Sequence, residues 1–92
     1  MLYRLKSSDS LGASIVNFNY LIWLEHETKD PKYRDPMLYW WNKMTMQARL
    51  KKLGLDQLKM EIQYQQAQQF GENKIYSMGL LREIESLARA HV

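Results

Sequence analysis

The sequence predicts an all-α fold, a small four-helix, bundle-like domain that is expected to be oligomeric. The 92 residues suit one domain, expected to span the whole chain with residues 1–10 flexible. Apolar residues make up 46% and charged residues 25%, a globular composition. Apolar residues recur at helical spacing, and turn-forming residues separate four stretches of helix length, at 7–10, 29–36, 52–54 and 71–73.

The first helix is predicted from about Leu11 to Glu27. One helical stripe of apolar residues supports it, and a second apolar stripe lies on the opposite side, with Val16, Tyr20 and Leu24 and with Trp23 beside them. A strand is the alternative for residues 11–24, because Val16 to Tyr20 alternates between apolar and polar residues. The helix is favoured since the run is long for a strand. The first stripe consists of Leu11, Ile15, Phe18 and Ile22.

The second helix is predicted from Asp35 to Gly54. Asp35 can accept hydrogen bonds from the first-turn N–H groups, and Pro36 suits the first helical position. Gly54 suits a left-handed turn that ends the helix.

The third and fourth helices follow Gly54 and Gly71. The third is predicted from Asp56 to about Phe70, and its Gln-rich part, residues 63–69, is either solvated or hydrogen-bonded to a partner. The fourth is predicted from Asn73 nearly to the C-terminus. Its apolar face includes Ile84 and Leu87, and Glu85 and Arg89 on the other side have favourable i,i+4 order.

Three consecutive aromatic residues, Tyr39 to Trp41, span about 200° of a helix and cannot all face one core. The second helix therefore has two apolar stripes, and we expect it to be the most buried helix. Either other helices of the chain cover both stripes, or one stripe contacts a partner, which is the favoured alternative. Tyr and Met are enriched in interface cores. The stripe expected in the core holds Met37, Trp41, Met44 and Ala48, with Trp40 at its edge, and the other holds Tyr39, Met46, Leu50 and Leu53. The predicted protein-interface residues are Tyr39, Trp40, Trp41, Met46 and Leu50.

The middle of the chain is basic. Residues 29–59 carry eight Lys and Arg against three Asp, whereas the other residues carry five basic against seven acidic side chains. This segment could attract nucleic acid, and Arg49 to Gln63 also fits a helix-turn-helix. The predicted nucleic-acid contacts are Lys32, Arg34, Lys43, Arg49, Lys51, Lys52 and Lys59.

Residues that carry chemistry are sparse. The chain has no cysteine, and His26 and His91 share no metal-like spacing with acids. No nucleophile elbow or phosphate-binding loop is present. We therefore predict no enzymatic activity, catalytic residue, cofactor or metal. The absence of an apolar signal-peptide core and of a span-length apolar run predicts a cytoplasmic protein that does not contact membranes.

These observations predict a non-enzymatic interaction protein that docks on another protein, on further copies of itself, or on both. Small cysteine-free helical proteins are common among phage and mobile-element accessory factors, so an adaptor, inhibitor or assembly factor is expected by analogy. The alternative is a nucleic-acid-binding protein that uses the basic middle segment, residues 29–59.

Overall fold

The computed structural model describes residues 10–71 and 78–90. This part of the chain contains no strand, so the all-α prediction is confirmed and residues 11–24 are helical. The predictions for residues 1–9, and the predicted start of the last helix at Asn73, lie outside the described residues. The helices are α1 (Leu11–Thr28), α2 (Arg34–Leu50), α3 (Leu55–Phe70) and α4 (Met78–Ala90), and a 3-10 turn (Pro31–Tyr33) precedes α2.

Helix α1 has a residue-specific cap at each end. The Ala13 N–H donates to the hydroxyl of Ser10 at 3.1 Å, which satisfies one of the free N–H groups of the first turn. At the other end Lys29 adopts a left-handed conformation with φ of 58°, and its N–H bonds to the carbonyl of Glu25 at 2.8 Å. This is the single-bond left-handed cap.

Helix α2 begins at Arg34 and not at Asp35 as predicted. The segment contains two Asp-Pro pairs, and the first one does the capping: the carboxylate of Asp30 accepts from the N–H of Lys32 at 3.0 Å. The 3-10 turn that starts there runs directly into α2. Pro36 consequently sits within the first turn, where its missing N–H leaves no hydrogen bond unmade.

The junction between α2 and α3 also differs from the prediction. The left-handed residue is Lys52, with φ of 58°, whereas Gly54 is extended and serves as the N-cap of α3 without a side-chain bond. Helix α2 therefore ends at Leu50, earlier than predicted, and α3 starts one residue earlier, at Leu55. The predicted stop of α3 at Gly71 is confirmed, with φ of 59°.

The most buried helix is α1, contrary to the expectation for α2. Ten of its 18 residues are buried, against five of 17 in α2. The reason is that α1 packs against both α2 and α3, and its second apolar stripe is partly covered as well. Phe70 of α3 stacks on Trp23 with ring centroids 5.8 Å apart, and meets the Tyr20 ring edge-on at 5.7 Å.

Polar side chains join α1 to the Gln-rich part of α3. Asn19 donates to the carbonyl of Ile62 at 3.3 Å and to the side-chain oxygen of Gln69 at 3.0 Å. Gln69 in turn donates to the carbonyl of Val16 at 3.2 Å, and Gln66 is fully buried. These glutamines serve the internal contact between two helices.

Helix α4 buries two side chains against the core within residues 82–89. Ile84 and Ala88 are buried, while Leu87 is only half-buried. The predicted i,i+4 pair forms, with Arg89 donating to Glu85 at 3.3 Å. Helix α4 packs chiefly against α2.

Candidate docking surface

Helix α2 separates its three consecutive aromatic side chains. Trp41 is 3% and Trp40 9% exposed, whereas Tyr39 is 58% exposed. The expectation that at least one ring leaves the core is therefore confirmed. The inner stripe is also confirmed, because the buried residues of α2 are Met37, Trp40, Trp41, Met44 and Ala48.

The two tryptophans are core residues and cannot serve as accessible anchors. Trp41 packs against Phe18 of α1 with ring centroids 5.8 Å apart. Trp40 lies at the edge of the core, where Tyr39 meets it edge-on at 5.1 Å and the ammonium of Lys43 lies 5.0 Å from its ring centre. Both residues were predicted to contact a partner, and burial removes them from the candidate surface.

The remaining three predicted residues form one exposed line, which we call the α2 stripe: Tyr39, Met46 and Leu50. Met46 is 54% and Leu50 80% exposed. Their spacing places the three side chains within about 40° of arc and along about 17 Å of helix. Leu53, predicted to belong to this line, is instead half-buried against the core, because the chain has left the helix before reaching it.

Helix α3 adds a second exposed apolar feature that the sequence reasoning missed. Met60 and Tyr64 are 70% and 64% exposed and lie one turn apart on the same side of the helix. Their position follows from the buried face, because Leu58 and Ile62 point into the core. Met60 lies about 200° around the helix from Leu58. Its exposure could therefore have been predicted once Leu58 was assigned to the inner face of α3.

The α2 stripe has a basic border. Between Tyr39 and Leu50 the only charged residues are Lys43 and Arg49. Lys51 and Lys52, both exposed, follow immediately. The stripe is therefore an apolar line of side chains within a positive electrostatic field.

The predicted nucleic-acid contacts do not form one patch. Lys32 pairs with Asp30 at 3.6 Å, and the side chain of Lys59, only 12% exposed, pairs with Glu85 at 3.2 Å. The exposed cations lie at opposite ends of α2, with Arg34 and Lys51 about 25 Å apart along the helix. Lys59 is thus unavailable as the recognition-helix contact that a helix-turn-helix would need.

Other kinds of site find little support in the described residues. Among them, no helix has both the length and the apolar character needed to cross a membrane. No group of three or more acidic or histidine side chains in residues 10–71 and 78–90 is arranged to hold a metal ion. Comparison of the chain with protein-family models, with curated proteins and with solved structures found no match.

Proposed function

We propose that this protein is a non-enzymatic interaction protein that binds an α-helical segment of another protein through the α2 stripe. The observation that carries the proposal is the alignment of Tyr39, Met46 and Leu50 on the outer side of a helix whose inner stripe is buried. An aligned row of exposed apolar side chains is typical of an interaction site, whereas single scattered ones are ordinary.

The shape of the stripe favours a helix as its partner. Its length of about 17 Å corresponds to roughly three helical turns. An amphipathic helix presents apolar side chains at i, i+3, i+4 and i+7, which is the spacing needed to pack along such a line. Burying each of the three side chains would contribute roughly 1.5–3 kcal/mol before the costs of association are subtracted.

The charges around the stripe favour an acidic partner over a second copy of this chain. Pairing two α2 stripes would bring two copies of Lys43 and Arg49 together, and like charges facing each other across an interface are unfavourable. A partner helix with Asp or Glu beside its apolar residues would instead complement both cations. Such a surface suits an adaptor, an inhibitor or an assembly factor.

Capture of binding proteins from a lysate of the source cells tests the proposal. Immobilised parent protein is compared with Leu50→Ser and with Gln57→Ser, which changes an exposed residue of α3 and serves as the control. Proteins retained by the parent and by Gln57→Ser, but lost with Leu50→Ser, are the expected result. Retention should persist after nuclease treatment and at raised salt, because apolar contacts are not screened.

Two results would contradict the proposal. Equal retention by the parent and Leu50→Ser would remove the α2 stripe from the interface. Retention that disappears with nuclease or falls steeply with salt would favour the nucleic-acid alternative, since phosphate binding by Lys and Arg depends strongly on salt.

A further inference from the structure

A cleft of about 440 Å³ lies between α2, α3 and α4, outside the α2 stripe. Its floor is apolar and is formed by core residues that include Trp41, Leu58 and Ala88. Ligand sites in proteins are commonly clefts of about 300–1,000 Å³ with mainly apolar walls and a few polar groups. The cleft has the size and the lining of such a site.

Two alanines leave this space open. Ala48 of α2 and Ala88 of α4 both line the cleft, and each contributes only a methyl group to its wall. Both are buried, at 3% and 6% exposure.

The rim of the cleft carries an excess of positive charge. Arg49 and Arg89 both line it, and Glu85 supplies the one carboxylate among the described lining residues. Glu85 is already shared, because Lys59 bonds to one of its oxygens at 3.2 Å and Arg89 to the other at 3.3 Å. Its charge is thus largely compensated without Arg49.

Arg49 has hydrogen-bonding capacity left over. Its Nε donates to the carbonyl of Thr45 at 3.4 Å. No ion pair joins it to a carboxylate within residues 10–71 and 78–90. A guanidinium has five N–H donors, and its two terminal nitrogens suit a planar carboxylate.

We propose that this cleft binds a small amphipathic carboxylic acid. The apolar body of the ligand lies against Leu53 and Leu55, which line the cleft and keep accessible surface, and its carboxylate at the rim accepts hydrogen bonds from Arg49, with Arg89 adding positive charge. One negative charge suits the site better than several, because Glu85 stays at the rim and offsets part of the positive charge.

This site lies beside the proposed docking surface and shares only Arg49 with it. Thr45 and Arg49 line the cleft, whereas the next residues, Met46 and Leu50, belong to the α2 stripe, and consecutive residues diverge by about 100°. Leu50→Ser therefore tests the stripe alone, and Ala88→Leu tests the cleft alone.

Calorimetric titration with octanoate, at concentrations where it does not form micelles, tests the proposal. We expect saturable binding of one octanoate per chain and about tenfold weaker binding of uncharged octan-1-ol, since charge-assisted hydrogen bonds are the stronger kind. Arg49→Gln should weaken octanoate binding about tenfold as well. Arg82→Gln removes the same charge from an exposed position outside the cleft lining and should bind octanoate like the parent.

Backbone amide shifts in NMR spectra locate the bound ligand. The expected shifts cluster at Leu53, Leu58 and Ala88, which line the cleft. Filling the floor with Ala88→Leu should abolish the binding. Equal affinities for octanoate and octan-1-ol, unchanged binding by Arg49→Gln, or shifts scattered over the surface would each overturn the proposal.

Discussion

Lys59 of α3 and Glu85 of α4 form an ion pair at 3.2 Å in which both side chains are largely buried, at 12% and 15% exposure. Glu85 also accepts from Arg89, whose own side chain is 77% exposed. The pair joins two helices that otherwise share few contacts, because α4 packs mainly on α2. The two residues of this ion pair are not equivalent. Glu85 also pairs with Arg89, whereas Lys59 has no second carboxylate among the described ion pairs.

This asymmetry predicts that Glu85→Ala destabilises the fold more than Lys59→Ala. Removing Lys59 leaves Glu85 paired with Arg89, so the expected loss is about 1 kcal/mol. Removing Glu85 leaves a largely buried ammonium without its partner, at a cost of about 2–3 kcal/mol. Urea unfolding measures both, with the exposed Lys51→Ala as the control. Equal losses for the two variants would show that the pair acts only through packing.

Replacing Ile84 with Ala should destabilise the protein more than replacing Leu87 with Ala. The sequence alone gives Ile84 and Leu87 equal weight, whereas the structure buries Ile84 to 3% exposure and leaves Leu87 half-buried. Ile84→Ala should therefore lower the free energy of unfolding by about 2–5 kcal/mol, and Leu87→Ala by about half as much. Thermal unfolding followed by circular dichroism checks this order. A larger effect at Leu87 would mean that α4 is rotated relative to the core.

The buried hydroxyl of Ser14 gives a prediction of opposite sign. Ser14 is fully buried in α1, and its Oγ has no hydrogen-bond partner in the described structure. Burying an unpaired hydroxyl is unfavourable, so Ser14→Ala should be neutral or up to about 1 kcal/mol more stable than the parent. Ser86→Ala, on the exposed side of α4, is the matched control. A clear loss of stability on replacing Ser14 would reveal a hydrogen bond at that site.

The sequence predicted the helices better than it predicted their ends. The spacing of apolar residues extends along a whole helix, so it still identifies the helix when the predicted ends are wrong by a few residues. For this reason α1 and the inner stripe of α2 are as predicted. The first and last residues of a helix depend on which of several possible capping residues is used. Asp30-Pro31 and Asp35-Pro36 carry the same sequence signal, and in the structure the first of them provides the cap.

It was harder to predict which helix covers a given side chain than to predict which side chains share one face of a helix. The apolar pattern of α1 shows two stripes, but the sequence does not show that Phe70 covers one of them from α3. For Trp40 and Trp41 the helical pattern did predict the core side, and it was their second assignment to the interface that burial contradicts, with Trp41 packed on Phe18 of α1. The cleft between α2, α3 and α4 was not predictable for this reason, because it is formed by residues far apart in sequence.

The α2 stripe should be dispensable for folding and required for binding. Tyr39, Met46 and Leu50 are all more than half exposed, so replacing Leu50 with Ser should change the free energy of unfolding by less than about 0.5 kcal/mol. Trp41→Ala, two positions from Tyr39 but inside the core, should cost about 3–5 kcal/mol. Unfolding of both variants in urea measures this contrast. A large loss for Leu50→Ser would mean that the stripe packs within the chain.

Light scattering at micromolar concentration then identifies the kind of partner. Because Lys43 and Arg49 border the stripe, two copies facing each other would repel, and we expect that any oligomer, as predicted from the sequence, does not form through the α2 stripe. A dimer that persists in Leu50→Ser would place self-association on another face, for instance that of Met60 and Tyr64. A dimer that Leu50→Ser converts to monomer would contradict the acidic-partner proposal and assign the stripe to a second copy of this chain.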